Sequence, residues 1–230
     1  MSKLTKKQKI IEENLDREKN YTIDDAMKII HQVKSDKFEE SVDISIKLGV
    51  DPNKSDQNVR GAVTLPNSLG KDVTVAVFAD GDQAKDASEA GAEYVGMDDL
   101  AEKFKKEEID VEVVIATNAA MKVVGKLGQI LGPKGLMPNP KTGTVSDDVT
   151  SAIKNVKAGQ VRFRTDKNGI IHGSIGMVNF ESIKIKENAS VLVEELKKLK
   201  PASAKGVFIG NISISSTMGP GIKISSSELE

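Results

Sequence analysis

Two kinds of β-strand pattern divide this chain, and they constrain its fold more than any single motif. Near the amino end, residues 41–50 (SVDISIKLGV) alternate between polar and apolar side chains, which predicts a strand with one solvent-facing side. Farther along, residues 73–79 (VTVAVFA) and 111–116 (VEVVIA) are almost continuously apolar, which is typical of strands covered on both faces. Helical segments separate these apolar strands, so the sequence predicts a parallel α/β unit over residues 70–158.

Alternation returns towards the carboxyl end. Residues 160–165 and 169–175 both alternate, and Asn168-Gly169 between them predicts a hairpin turn. A helix is expected over residues 187–201, followed by a strand that runs into a Gly-Pro-Gly corner. The pattern therefore predicts an open-faced α+β region at each end of the chain, and it leaves open whether the two ends join.

The chain has 230 residues, a formal net charge of −1 and no cysteine. Its length allows one large domain or two small ones, each able to bury a core. The lack of cysteine excludes disulfides, thiolate metal sites and cysteine nucleophiles, and it suits a reducing cytosol. Residues 67–158 sum to −4 whereas the two ends together sum to +3, so a polyanion is weakly favoured at the ends.

Membrane and secretory segments are not expected. No apolar run approaches the length of about 18 residues that a spanning helix needs. Residues 1–20 are charged and amphipathic, where a signal peptide would have an apolar core. We therefore expect a cytoplasmic protein with no membrane partner.

The glycine- and proline-rich stretch GQILGPKGLMPNPKTGTV (residues 128–145) superficially resembles a phosphate-binding loop. In register with that motif, Pro133 replaces the second glycine and Gly135 replaces the hydroxyl residue that holds magnesium. Proline has no N–H to offer a phosphate, so the motif fails. A nucleotide-binding enzyme that uses the α/β region stays open as the alternative function.

Other catalytic constellations are also missing from the sequence. The two histidines, His31 and His172, are far apart in the chain and are expected to be ordinary surface or half-buried residues. Acid pairs stand where three helices are predicted to begin, which helix capping and the helix dipole explain without catalysis: Asp24-Asp25, Asp98-Asp99 and Asp147-Asp148. We expect no catalytic residue, no metal and no cofactor.

Three places carry side chains that would suit contact with RNA. The stretch RFRTDKNG carries Arg162, Arg164, Asp166 and Lys167, and SISSTMGPG carries hydroxyls at Ser213, Ser215, Ser216 and Thr217 before Met218-Gly219. Hydroxyls, bare backbone and a few cations suit phosphate, ribose and minor-groove contacts. The third place is Phe38, an aromatic among charges. An edge strand and turn, or a half-buried capping aromatic, would explain these residues without RNA.

Four stretches closely resemble segments of the ribosomal protein L-one family in its bacterial form. The most specific is GQILGPKGLMPNPKTGTV, and the others are residues 34–66, 159–176 and 212–224. They occur in the family's order and spacing, so the resemblance covers essentially the whole chain. The departure from the family is charge, because its members are often distinctly basic. A low net charge predicts a shallow salt dependence of RNA binding.

The resemblance implies two domains. Residues 1–67 and 159–230 would form a split α+β sandwich, and residues 68–158 would form an inserted Rossmann-like α/β domain. The crossings near Pro66–Lys71 and Lys157–Gln160 would act as a hinge.

The resemblance also implies a function. The chain would be a non-enzymatic constituent of the large ribosomal subunit, monomeric when free of the ribosome, that binds rRNA of the mobile stalk. It would assist the movement and release of deacylated tRNA at the exit site. It would further repress translation of its own operon by binding the mRNA.

The family's RNA contacts, carried over by position, imply twelve residues in the first domain: Lys37, Phe38, Glu40, Ser41, Asp166, Lys167, Gly169, His172, Ser213, Thr217, Met218 and Gly219. In the glycine- and proline-rich stretch, Lys134 and Lys141 would be available for a secondary contact with RNA or tRNA, while the prolines and glycines form a rigid connection between two helices.

Overall fold

A computed structural model describes residues 6–34, 38–68, 70, 73–106 and 108–229. The chain divides into two compact units. Unit one combines Met1–Leu69 with Val161–Glu230, and unit two is Gly70–Gln160.

Unit one is built on an antiparallel sheet whose strand order is β7-β1-β8-β9. A separate two-stranded sheet, β2 with β6, belongs to the same part of the fold. Its elements are α1 (Lys6–Asn14), α2 (Ile23–Val33), β1 (Ser41–Leu48), β2 (Arg60–Thr64), β6 (Gln160–Arg164), β7 (Ile170–Met177), α8 (Ser182–Lys198), β8 (Ile209–Ser216) and β9 (Ile222–Ile224).

The alternation read in β1 produces a sheet with one buried side. Ile44 and Ile46 are completely buried, whereas Ser45 between them is half-buried and Lys47 is exposed. The buried side packs on α2 and α8 in a single apolar core. Each such isoleucine contributes about 1.5–3 kcal/mol by leaving water, so a one-residue slip of the strand would be strongly disfavoured.

Thr22 and Asp25 have capping-box spacing in the sequence, which predicts a helix start there, and helix α2 does begin at this point. Oγ1 of Thr22 accepts a hydrogen bond from the Asp25 amide at 3.1 Å, which satisfies one of the free N–H groups of the first turn. The helix buries Ile23, Met27 and Ile30 along one side. This side belongs to the same apolar core as the buried residues of the sheet.

Unit two contains a parallel sheet in the order β4-β3-β5. All residues of β3 and β5 are buried, and apolar clusters lie on both sides of them, so the prediction of covered parallel strands is confirmed. Its elements are β3 (Val75–Phe78), α3 (Asp82–Glu89), β4 (Tyr94–Gly96), α4 (Asp98–Lys105), β5 (Val113–Ala116), α5 (Met121–Lys126), α6 (Gly128–Leu131) and α7 (Val149–Lys157).

The acid pairs do lie at helix starts. Asp24 and Asp25 are in the first turn of α2, and Asp98 and Asp99 are in the first turn of α4. Asp148 is the N-cap of α7 and accepts a hydrogen bond from the Ser151 amide at 3.1 Å. These carboxylates therefore have a structural explanation.

Two elements differ from the sequence-based expectation. Helix α8 begins at Ser182 rather than near residue 187. Residues 182–186 (SIKIK) alternate like a strand, but Ile185 packs against Gly176 as part of the helix. The glycine- and proline-rich stretch is not all loop, since it opens with α6, whose Leu131 is completely buried. Tertiary packing overrides the local pattern in both places.

Candidate nucleic-acid interface

The uncovered side of the four-stranded sheet carries two rows of polar residues that cross neighbouring strands. In the first row, Ser174 of β7 and Ser215 of β8 both pair with Asp43 of β1. The second row passes from β7 through β1 and β8 to β9 as His172, Ser45, Ser213 and Lys223. All seven are exposed or half-buried. We call these seven residues the polar face.

His172 is held at one side of the polar face by two contacts. Its Nδ1 lies 3.3 Å from Oγ of Ser45, and its Nε2 lies 3.5 Å from Oδ2 of Asp166. The side chain of His172 is exposed, and the contacts with Ser45 and Asp166 fix its position. It can therefore meet a ligand from a defined position rather than as a free rotor.

Asp166 organises the hairpin turn that precedes β7. Its Oδ1 accepts hydrogen bonds from the amides of Asn168 and Ile170, both at 2.8 Å. The Ile170 amide is the main cause that keeps the pKa of Asp166 below its ordinary value, with support from the Asn168 amide and His172. Gly169 completes the turn at φ +73°, a conformation that other residues rarely adopt. The predicted Asn-Gly turn is confirmed, but the two strands that it joins, all of whose residues are described, do not form a hairpin ladder. They meet at the bridge between Thr165 and Ile171, while β6 pairs with β2 and β7 pairs with β1.

At one end of the sheet, the chain segments that carry Ser41 and Thr217 meet. The Ser41 amide donates to Oγ1 of Thr217 at 3.1 Å, and the two hydroxyl oxygens are also 3.1 Å apart. The Thr217 amide in turn donates to the Ser41 carbonyl at 3.2 Å. Two of the predicted site segments are therefore one local structure, although they are 176 residues apart in sequence.

Glu40 has a positioning role in this end of the sheet. Only 2% of it is exposed, and its Oε2 accepts the amide of Met218 at 3.2 Å. Its carbonyl accepts the Val178 amide at 2.9 Å. Glu40 therefore holds the turn after β8 in place from the buried side. Its carboxylate is not exposed to solvent, whereas that of a residue in direct contact with a ligand would be.

Gly219 closes the same turn tightly. A Cβ atom at this position would lie 2.4 Å from Oγ of Ser216, which is closer than such atoms approach. Phe38 and Met218, by contrast, expose 49% and 62% of their surface. We call Phe38, Glu40, Ser41, Thr217, Met218 and Gly219 the terminal cluster. Buried Glu40 and small Gly219 shape it, and the two large apolar side chains stay available to a partner.

The predicted site residues thus fall into groups. Six form the terminal cluster, His172 and Ser213 lie on the polar face, and Asp166, Lys167 and Gly169 form the turn beside it. Lys37 lies outside the described residues.

Of the seven polar-face residues, Ser215 was named among the hydroxyls of SISSTMGPG but not among the twelve site residues. Four others were not singled out from the sequence: Asp43, Ser45, Ser174 and Lys223. The signal that could have found them was the alternation itself. Asp43 and Ser45 stand at the polar positions of β1, and each partner strand has small polar residues in matching places.

In unit two, Lys134 and Lys141 are both exposed. The loop that carries Lys141 is braced from inside, because the Asn139 amide donates to Oγ1 of Thr144 at 2.8 Å and Oδ1 of Asn139 accepts the Lys141 amide at 2.9 Å. Thr144 is 1% exposed. The loop therefore has internal support for presenting Lys141 outward.

The carboxyl ends of β3 and β5 are where an α/β sheet would bind a nucleotide. Here Nδ2 of Asn118 donates to Oδ2 of Asp147 at 2.8 Å, and Nε2 of Gln83 donates to the Asp147 carbonyl at 3.1 Å. Asp80 and Asp148 are exposed at the same edge. Carboxylates at this edge repel phosphate, which disfavours the alternative of a nucleotide-binding enzyme.

Across the residues described, no group of His, Asp and Glu side chains could hold a metal ion. None of the helices in the same residues combines the length and the apolarity that crossing a bilayer requires.

The polar face and the terminal cluster suit an RNA ligand chemically. Serine and threonine hydroxyls can donate to phosphate and exchange hydrogen bonds with ribose 2′-hydroxyls. Asp43 can accept from a 2′-hydroxyl or a base amino group. Because these groups follow fixed rows of a sheet, they can read the shape of a folded RNA.

Comparison with known proteins agrees with this chemistry. Residues 30–220 match the ribosomal protein L1p/L10e family. The large ribosomal subunit protein uL1 of Teredinibacter turnerae is 60% identical over 230 residues, which cover all of both chains. The uL1 proteins of Saccharophagus degradans and Cellvibrio japonicus are 58% and 57% identical over 229 residues, which cover 100% of this chain and 99% of each relative.

Proposed function

This chain belongs to the ribosomal protein L1p/L10e family, and from this premise we propose that it is a non-enzymatic constituent of the large ribosomal subunit that binds rRNA of the mobile stalk through unit one. The observation that carries the proposal is the polar face, with Ser45, Ser213 and His172 aligned across three strands. A row of hydroxyl and imidazole groups matches the phosphates and 2′-hydroxyls of a helical RNA junction.

The terminal cluster supplies the anchoring part of the proposed contact. Phe38 and Met218 are large, apolar and exposed, and they can stack on or pack against bases that a junction leaves unpaired. Thr217 and Ser41 contribute two neighbouring hydroxyls to the same cluster. The combination allows apolar anchoring and ribose recognition within one patch.

Unit two is proposed to make the secondary contact. Lys134 and Lys141 are both exposed, and Lys141 lies on a loop that is braced from inside. Lysines bind phosphate as point charges without sequence preference. We assign these lysines to the exit-site tRNA. The surrounding region is acidic in sum, so this contact would be weak and suited to a ligand that must leave.

Repression of the chain's own operon would use the same surface of unit one. A face that reads backbone shape accepts any RNA that folds into the same junction. We therefore propose that the operon mRNA and the stalk rRNA compete for the polar face and the terminal cluster. Increasing amounts of an rRNA fragment should displace a labelled operon leader RNA completely.

Lysine-directed crosslinking to RNA on purified ribosomes tests the assignment of surfaces. We expect rRNA adducts at Lys47 and Lys223, which are exposed on β1 and β9. Lys134 and Lys141 should form adducts with tRNA when the exit site is filled. If the polar face binds rRNA, Lys47 and Lys223 must both lie close to it.

Lys184 and Lys186 are the matched control for this experiment. Both are exposed on α8, the helix that covers the other side of the sheet, and we expect no rRNA adduct there. Adducts confined to α8, with Lys47 and Lys223 unmodified, would contradict the proposed surface.

A further inference from the structure

Three of the four arginines in this chain belong to one small sheet. Arg60 begins β2, and Arg162 and Arg164 lie on β6, its partner strand. The polar face and the terminal cluster contain none of them. This concentration of guanidinium groups is therefore not explained by the surface already described.

Alternation places the three arginines on the same side of the two-stranded sheet. Val161, Phe163 and Gly61 are buried, whereas Arg60 and Arg162 are half-buried and Arg164 is exposed. The strands are held next to each other where the Thr165 amide donates to the Val59 carbonyl at 3.0 Å. Arg60 follows Val59 in the chain, and Arg164 precedes Thr165. The hydrogen bond between Val59 and Thr165 therefore brings the two arginines close together. We call Arg60, Arg162 and Arg164 the arginine face.

The arginine face is a cluster of like charges. Burial of Arg60 lowers the pKa of its guanidinium group, and the nearby charge of Arg164 lowers it further. Within the described part of the chain, neither Arg60 nor Arg164 forms an ion pair with a carboxylate. Like charges at short range destabilise the folded chain unless an anion approaches them.

We propose that the arginine face binds the phosphate backbone of RNA as a second contact, on a different sheet from the polar face. Guanidinium groups form paired hydrogen bonds with phosphate and lose little hydration on contact. A β-ribbon with side chains at alternate positions offers them at a regular spacing along one side. The inference rests on the proposed function only for the choice of RNA as the polyanion.

The test is the salt dependence of RNA binding by the full-length chain. The double variant R60Q/R164Q removes two charges and keeps polar side chains of similar length. The double variant K184Q/K186Q removes the same charge from α8 and serves as the control. Affinity is measured against salt concentration for a stalk rRNA fragment and for a short unrelated RNA duplex.

For R60Q/R164Q we expect weaker binding of both RNAs and a plot of log affinity against log salt that is shallower by about 1 to 2, because each phosphate contact contributes about 1 to the slope. K184Q/K186Q should keep the wild-type slope. Wild-type slopes for R60Q/R164Q on both RNAs would overturn the proposal, as would an equal reduction in the control.

Two further variants separate this inference from the proposed function. R60K/R164K keeps both charges, so we expect it to retain the salt slope while losing part of the affinity. T217V alters the terminal cluster and should weaken binding of the rRNA fragment without changing the affinity for the duplex. If T217V has no effect but R60Q/R164Q does, the proposed function fails and the arginine face stands. If T217V weakens rRNA binding but R60Q/R164Q has no effect, the proposal for the arginine face fails and the proposed function stands.

Discussion

Oγ1 of Thr217 lies 3.1 Å from both the amide nitrogen and the hydroxyl of Ser41. This pair joins the start of β1 to the turn after β8, and it belongs to the terminal cluster in which Phe38 and Met218 are exposed. A single hydroxyl therefore belongs both to the fold of the terminal cluster and to the surface that it offers to RNA.

Replacement of Thr217 by valine keeps the shape of the side chain and removes this hydroxyl. We expect the affinity for a stalk rRNA fragment to fall by about 1–3 kcal/mol, because a polar group of the interface loses its partner. Fluorescence anisotropy titration measures the change. T150V, in α7 of unit two, makes the same chemical change elsewhere and should be neutral, whereas unchanged affinity in T217V would contradict the assignment.

Phe38→Ala removes an aromatic ring that is 49% exposed. We expect an affinity loss of about 1–3 kcal/mol, the usual range for an anchoring aromatic side chain, with little change in thermal stability. Ile183→Ala is the control, since Ile183 is 65% exposed on α8. Equal affinities for the two variants would show that Phe38 does not touch the RNA.

Gly219→Ala tests whether the turn after β8 needs a residue without a side chain. The new methyl group would meet Oγ of Ser216 at 2.4 Å, so we expect a loss of about 1–3 kcal/mol in unfolding free energy, as for an overpacked site. Gly221→Ala lies two residues farther along, where a Cβ meets nothing within 4 Å, and should cost much less. Urea denaturation measures both.

The hydroxyl of Ser216 is buried and, across the described residues, has no hydrogen-bond partner. Ser216→Ala alone should therefore be nearly neutral or slightly stabilising. The double variant S216A/G219A should recover most of the stability that G219A loses, because the obstructing atom is gone. Additive effects of the two substitutions would show that the strain lies in the backbone instead.

Asn188 is a completely buried amide in α8. Its Nδ2 donates to the carbonyls of Asn67 and Ile175 at 3.0 and 2.7 Å, and its Oδ1 accepts the Asn67 amide at 3.0 Å. Asn188→Ala leaves these groups unpaired and should cost about 2–4 kcal/mol in unfolding free energy. Ser190→Ala is the control, because Ser190 is half-buried and lies two residues farther along the same helix. Equal unfolding free energies for the two variants would contradict the prediction.

The hairpin turn should respond to acid through Asp166. Its pKa is lowered in the folded chain, chiefly by the Ile170 amide. A lowered carboxylate pKa stabilises the fold at neutral pH, and this contribution disappears as the pH falls through that pKa. The difference in unfolding free energy between wild type and D166A should therefore be largest at neutral pH and shrink in acid. A difference independent of pH would exclude the ionised carboxylate as its source, and T150V gives a baseline without a titrating change.

The sequence predicted the secondary structure of unit one because burial leaves a local signature. Alternation in β1 identified Ile44 and Ile46 as core residues and Ser45 as a surface residue, and all three assignments are confirmed. The Thr22 cap and the Asn168-Gly169 turn were also readable, because the residues that make them are adjacent in the chain.

The start of α8 was predicted too late for an equally physical reason. Residues 182–186 have the period of a strand, but Ile185 is completely buried in the helix that covers the sheet. The burial of Glu40 could not be predicted from the sequence either, because the Met218 amide that donates a hydrogen bond to it is 178 residues away. In both cases the deciding partner lies outside the sequence window.

The sequence by itself determined which side of each strand is polar, where helices begin and which family the chain resembles, since these depend on residue type at short spacing. Only the tertiary structure decided that Ser174, Asp43 and Ser215 form one row, that Ser41 meets Thr217, and that Arg60 joins the arginines of β6. Strand pairing and register create these neighbours, and many pairings satisfy the same local pattern. The rows therefore appear only when the two ends of the chain come together in one sheet.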